Sequence, residues 1–228
     1  MGKNKLKKFS DIRSLPNVFE NFNPDDVYLT NGENEKVEMK GKWRTDFFKN
    51  DNPLVLELAC GRGEYSNGLA EMYPDKNFLG LDIKGARIWK GAHQAIEKGL
   101  DNVAFLRTRI ELITDYLDQD EVDEIWIIFP DPFLKNSKSN RRLTSSAFLN
   151  RYRQILKREG LVHLKTDSPP LYEFTLDTIA QDEKCKINYQ NDNIYASELV
   201  YKELIIKTYY EESHLKDGRL IKYVQYTI

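Results

Sequence analysis

The sequence predicts an α/β fold with an open, mostly parallel sheet and helices on both faces. Three observations carry this expectation. From Pro53 onward, short apolar runs alternate with stretches of helical spacing, as repeated βαβ units require. The run "VDEIWIIFPD" (122–131) contains a continuous apolar block, which suits a strand covered on both faces. The runs end at small or acidic residues, and open α/β sheets bind ligands beyond the carboxyl ends of their strands.

The elements follow in order. Residues 1–45 read as a basic tail and an arm over the domain, anchored near Trp43 and Phe47. Residues 46–228 read as the domain that carries the chemistry. "PLVLELA" (53–59) is the first strand, "EYSNGLAEMY" (64–73) a helix, and "NFLGLDI" (77–83) the second strand. "GARIWKGAHQAIEKG" (85–99) is a helix stopped by Gly99, and "NVAFLRT" (102–108) is the third strand. After the fourth strand, "TSSAFLNRYRQILKREG" (144–160) predicts a helix capped by Thr144 and ended by Gly160. "LVHLKTD" (161–167) is the fifth strand. "SPPLYEFTLDTIAQD" (168–182) opens with Ser-Pro, a favourable helix entry. "CKINYQND" (185–192) and "RLIKYVQYTI" (219–228) are expected to pair antiparallel at one sheet edge.

Composition narrows the function. The formal net charge of −2 argues against coating nucleic acid by bulk charge, so local charge matters more. Cys60 and Cys185 are too few for a disulfide framework or a zinc site. The three histidines share no spacing with an acid or cysteine cluster, so no metal is expected. No apolar run approaches the roughly 20 residues of a membrane span, and the start lacks a signal-peptide core. A reduced, cytoplasmic compartment fits.

The first strand end selects the cofactor. Gly61 and Gly63 match part of a dinucleotide loop, but Ser66 stands where its third glycine belongs. Glu57, four residues before Gly61, would face a pyrophosphate badly and would suit a cation. S-adenosylmethionine carries a sulfonium and an ammonium and no phosphate. Asp82 ends the second strand about 20 residues on, where an acid accepts from ribose hydroxyls in either cofactor. Glu57 therefore discriminates, and a nicotinamide-linked oxidoreductase is the weaker reading.

The fourth strand delivers Asp131 beside the methyl of that cofactor, between Pro130 and Pro132, which restrict the turn. From Pro132 to Arg158 there are eight Lys or Arg and no Asp or Glu. Such a run suits phosphate contacts, with Lys138, Arg141 and Arg142 on a nucleic-acid backbone.

"FPDPFLKNSKSNRRLT" (129–144), followed by "FL" and "Y" in the next helix, resembles the signature of bacterial tRNA (guanine-N7-)-methyltransferases. "LKTDSPPLYEF" and "KTYYEE" (207–212) are similar to two further segments of that family, and the resemblance runs from about Trp43 to the end. It implies a class I S-adenosylmethionine-dependent methyltransferase, Rossmann-like, with a seven-stranded sheet and an antiparallel C-terminal edge. It implies methylation of guanine N7 in the tRNA variable loop, with Asp131 catalytic and also next to the cofactor. Lys135, Asp167, Thr208, Tyr210 and Glu211 would bind the substrate, and Arg109 the adenine side of the cofactor. The family often has Asp at the place of Arg109, usually Gly at that of Ala59, and usually Trp at that of Phe133. Ala59 is small enough that little consequence is expected. Another RNA or a small molecule as methyl acceptor is the alternative. A non-catalytic RNA-binding protein is disfavoured by the intact Glu57, Gly61, Gly63, Asp82 and Asp131.

Overall fold

A computed structural model describes residues 11–228. The basic cluster Lys3–Lys8 lies outside the described residues. Ten strands form one sheet among them: β1 (Val18–Glu20), β2 (Leu29–Thr30), β3 (Lys36–Val37), β4 (Leu54–Leu58), β5 (Asn77–Asp82), β6 (Val103–Arg107), β7 (Val122–Ile128), β8 (Leu156–Thr166), β9 (Lys186–Asn191) and β10 (Lys222–Thr227). Their spatial order is β3-β2-β1-β6-β5-β4-β7-β8-β10-β9. The pairings from β1 through β6, β5, β4 and β7 to β8 are all parallel. β10 runs antiparallel to both β8 and β9, as expected for the C-terminal edge.

The seven strands from β6 to β9 in that order are the sheet the sequence implied. The arm lengthens it: β1 pairs Val18–Glu20 with Phe105–Arg107, and β2 and β3 follow as short antiparallel strands. Trp43 is fully buried, donating from Nε1 to the Tyr116 carbonyl at 2.8 Å.

Side-chain alternation divides the core between the two faces. On β4, Leu54, Leu56 and Leu58 join one apolar cluster. It also holds residues of α3 (Ile113–Tyr116), α4 (Ser146–Tyr152) and α5 (Pro169–Ala180). Val55 joins the other, with α1 (Glu64–Met72) and α2 (Gly85–Glu97). Trp126 is core, stacked on His163 with ring centroids 3.8 Å apart.

The helix expected over 144–160 is corrected. It stops at Tyr152, and Leu156 already belongs to β8. Val122 N–H donates to the Ile155 carbonyl at 2.9 Å and Leu156 pairs with Val122, so the chain is drawn into the sheet. Lys157–Glu159 bulge outward, and a Cβ on Gly160 would come within 2.6 Å of the Leu156 side chain. Gly160 therefore closes a bulge rather than a helix. Lys157 pairs with Asp123 at 2.5 Å at the amino end of β7, away from Asp131.

Candidate active site

Strand order reverses at β4, which sends the chain to β5 and β6 on one side while β7 and β8 lie on the other. The crevice at such a reversal lies beyond the carboxyl ends of the two central strands. Here those ends carry the glycine loop and the Pro-Asp-Pro turn.

The glycine loop is a tight left-handed passage. Ala59, Gly61 and Gly63 all have positive φ (58°, 56° and 66°). A Cβ on Gly63 would approach the Phe105 ring to 2.6 Å, so close packing excludes any side chain. A Cβ on Gly61 would meet only the Ala59 carbonyl oxygen, at 3.9 Å, and would fill an otherwise open space. Asp82, nearly buried, accepts from Gly61 N–H (2.9 Å) through one carboxylate oxygen and from Lys84 N–H (2.8 Å) through the other. Glu57 lies on the α1 side and accepts from the Ser66 N–H at 2.8 Å and from its hydroxyl. Burial raises its carboxyl to about 8, against the opposing hydrogen bonds from Ser66. Ser66, read as the failed third glycine, is thus the anchor of Glu57. Open space before Gly61 and the two acids below it fit a cationic adenosyl cofactor.

The structure does not bring Arg109 into this cluster. It lies two residues past β6 with an exposed side chain, and its guanidinium meets Glu111 at 3.9 Å.

The Pro-Asp-Pro turn is held under strain. Phe129 and Phe133 flank it with φ of 47° and 39°, a region that L-residues seldom occupy. Phe129 N–H bonds the Lys165 carbonyl (2.9 Å), and Asp131 accepts from Phe133 N–H (3.2 Å). Arg142 corrects an expectation. It is buried, at 5% exposure, and cannot reach a nucleic-acid backbone. Its guanidinium lies over the Phe174 ring at 4.3 Å and donates to the carbonyls of Pro132 (3.2 Å) and Phe133 (3.1 Å). It clamps the turn from behind. Lys135, Lys138 and Arg141 stay exposed on the loop, Arg141 over the Phe133 ring.

Asp131, Asp167 and Tyr210 line one cavity of about 790 Å³. Asp167 lies just past β8 and pairs with Arg219 at 2.6 Å and with His214 at 3.4 Å. The adjacent Ser168 caps α5 by accepting from Leu171 N–H. Tyr210 belongs to α6 (Tyr209–Lys216), which Thr208 caps by accepting from Glu211 N–H at 3.1 Å. Arg62 of the glycine loop stacks on Tyr209, and Arg87 of α2 on Tyr210. The first turn of α6 therefore covers both the glycine loop and the cavity. Thr208 and Glu211 do not line it. Glu211 corrects a second expectation: it is fully buried, with Lys165 at 2.7 Å and the Tyr195 hydroxyl at 2.7 Å. Both its oxygens are engaged, and it holds α6 down rather than facing a base.

Lys84, Arg87 and His214 also line the cavity and were not singled out in the sequence. Lys84 sits in the turn before α2 and Arg87 and His214 on helices, none within a motif, and only the docking of α2 and α6 brings them to Asp131. Among the described residues, no group of His, Cys, Asp or Glu could hold a metal ion. No helix there is long and apolar enough to cross a membrane.

A mostly parallel sheet with this reversal and an antiparallel C-terminal edge is the fold of a class I S-adenosylmethionine-dependent methyltransferase. Residues 51–223 match the family model described as a putative methyltransferase. Among solved structures, the 16S rRNA methyltransferase KamB shares this fold, with a TM-score of 0.64 and 16% identity over 85% of this chain and 96% of its own. The tRNA (guanine-N(7)-)-methyltransferase of Bacteroides fragilis is 48% identical over all of this chain and 87% of its own length. That of Christiangramia forsetii is 48% identical over 99% of this chain and 98% of its own. The chain belongs to the tRNA (guanine-N7-)-methyltransferase family.

Proposed function

We propose that this protein transfers a methyl group from S-adenosylmethionine to N7 of a guanine in the tRNA variable loop, in the cytoplasm. The observation that carries the reading is Asp131, fixed on a strained turn in one cavity with Asp167 and Tyr210. Relatives of that activity matching nearly the whole chain support it.

When bound, S-adenosylmethionine supplies an electrophilic methyl on a sulfonium centre. Glu57 and Asp82 would hold it, with Gly61 and Gly63 allowing close backbone approach. Guanine N7 has an in-plane lone pair and no proton to lose. Alignment and exclusion of water therefore matter more than a strong general base. Alkylated at N7, the purine is cationic, and the Asp131 carboxylate stabilises the charge as it develops. The base reaches Asp131 by leaving its stack, as base-modifying enzymes require. Asp167 accepts from its Watson–Crick edge, and Tyr210 covers it. Lys135, Lys138 and Arg141 hold tRNA phosphates. Residues 46–228 are the catalytic unit and residues 1–45 its arm.

Radiolabelled methyl transfer to bulk tRNA, followed by strand cleavage at N7-methylguanine, tests this. Label that maps to one variable-loop guanine is expected. Label at another atom, or none in tRNA, overturns the reading.

A further inference from the structure

The cavity that holds Asp131 has a cationic wall outside the Pro132–Arg158 run. Four basic side chains line it: Lys84, Arg87, Arg219 and Lys222. Two are already committed. Arg219 is paired with Asp167 at 2.6 Å and with Asp217 at 3.6 Å. Lys222 is nearly buried and donates to the Asp192 carbonyl at 3.0 Å. Lys84 and Arg87 differ. Among the described residues neither ammonium nor guanidinium has an ion-pair or hydrogen-bond partner. Arg87 lies over the Tyr210 ring, 5.3 Å from its centroid. A guanidinium held over a ring with no polar partner keeps its N–H donors available for a planar or tetrahedral oxyanion.

We infer that Lys84 and Arg87 are a second phosphate-binding pair, which grips the backbone of the flipped nucleotide across the cavity from the Lys135–Arg141 loop. This rests on the functional reading above. The chemistry favours a nucleic-acid phosphate. A base directed to Asp131 leaves its two flanking phosphates at the cavity walls. The wall beside α2 offers these two unpaired cations, while the charge of Asp167 in the same cavity is offset by Arg219. The cofactor carboxylate is the competing anion. Asp82, two residues before Lys84, takes the ribose, which puts this wall on the nucleoside side of that ligand. Gripping from both rims would set the purine plane beneath the first turn of α6, with Arg87 touching both the phosphate and Tyr210.

Three variants test the pair: Lys84→Ala, Arg87→Gln and Arg87→Lys. The readouts are tRNA affinity against salt, S-adenosylmethionine affinity by calorimetry, and thermal melting as a check of folding. Lys84→Ala and Arg87→Gln should each weaken tRNA binding about 3–10-fold and lower the slope of log Kd against log salt by about 1. Cofactor affinity should stay within twofold. Arg87→Lys should keep the salt slope and lose turnover, because a lysine retains the charge without the stacked fork. An unchanged salt slope in Lys84→Ala and Arg87→Gln overturns the inference, as does weakened cofactor binding with tRNA binding intact. If wild-type protein methylates tRNA while the variant slopes are unchanged, only this inference fails. If wild-type protein neither binds nor methylates tRNA, the functional reading fails and takes the inference with it.

Discussion

The Lys165 ammonium and the Glu211 carboxylate face each other at 2.7 Å with neither side chain exposed to solvent. Lys165 also donates to the carbonyls of Leu204 (3.0 Å) and Ile206 (3.1 Å), so one buried group ties β8 to the segment leading into α6. Burial pulls the ammonium below its usual range, and Glu211 opposes that pull.

Breaking one side of the pair leaves a buried charge without its partner. Lys165→Met alone should cost about 3–5 kcal/mol, whereas Lys165→Met with Glu211→Leu should recover most of it. Denaturant titration of the two variants decides. Equal stability would show that the pair is not what holds α6.

Arg142 and the exposed loop cations should separate cleanly. Lys135→Ala with Arg141→Ala should flatten the salt dependence of tRNA binding by about 2 in log–log slope. Arg142→Gln should leave that slope alone and slow turnover, because it frees the Pro-Asp-Pro turn. A changed slope in Arg142→Gln would place that side chain on the nucleic acid after all.

Asp131→Ala should lower the single-turnover rate by about 100–1,000-fold, the scale of losing one positioned electrostatic group. Binding of tRNA should change by only a few-fold. A near-wild-type single-turnover rate removes Asp131 from the chemistry.

Glu57 gives a pH signature. Its carboxyl titrates at about 8 when folded, from an ordinary 4.5. Between those values the folded protein holds a proton that the unfolded chain has released, so stability falls as pH rises through that window. Melting temperature of the cofactor-free protein should decline from pH 5 to 8, and Glu57→Gln should flatten the decline. Cofactor affinity should strengthen over the same range, because the cation favours the ionised form.

Ala59 has a φ of 58° at the place where the family usually has glycine. A left-handed L-residue costs about 1–2 kcal/mol, of which glycine returns roughly half through its freer unfolded state. Ala59→Gly should stabilise the protein by about 0.5–1 kcal/mol in denaturant titration. The small volume of alanine does not make it neutral, because the strain is in the backbone.

The sequence by itself determined the sheet from β4 to β8, since hydrophobic period and strand length are local properties. It also placed Glu57, Gly61, Asp82 and Asp131 at strand ends, because a βαβ chain leaves those ends along one edge. It could not show which members of a charged run face solvent. Arg142 and Arg141 are adjacent, yet one is buried over Phe174 and the other is exposed. It could not show that Glu211 meets Lys165, 46 residues earlier in the chain. Nor could it foresee that pairing with Val122 would draw Leu156 out of a helix and into β8. The tertiary structure decided these, because burial, ion pairing and strand registry depend on what the rest of the chain brings alongside.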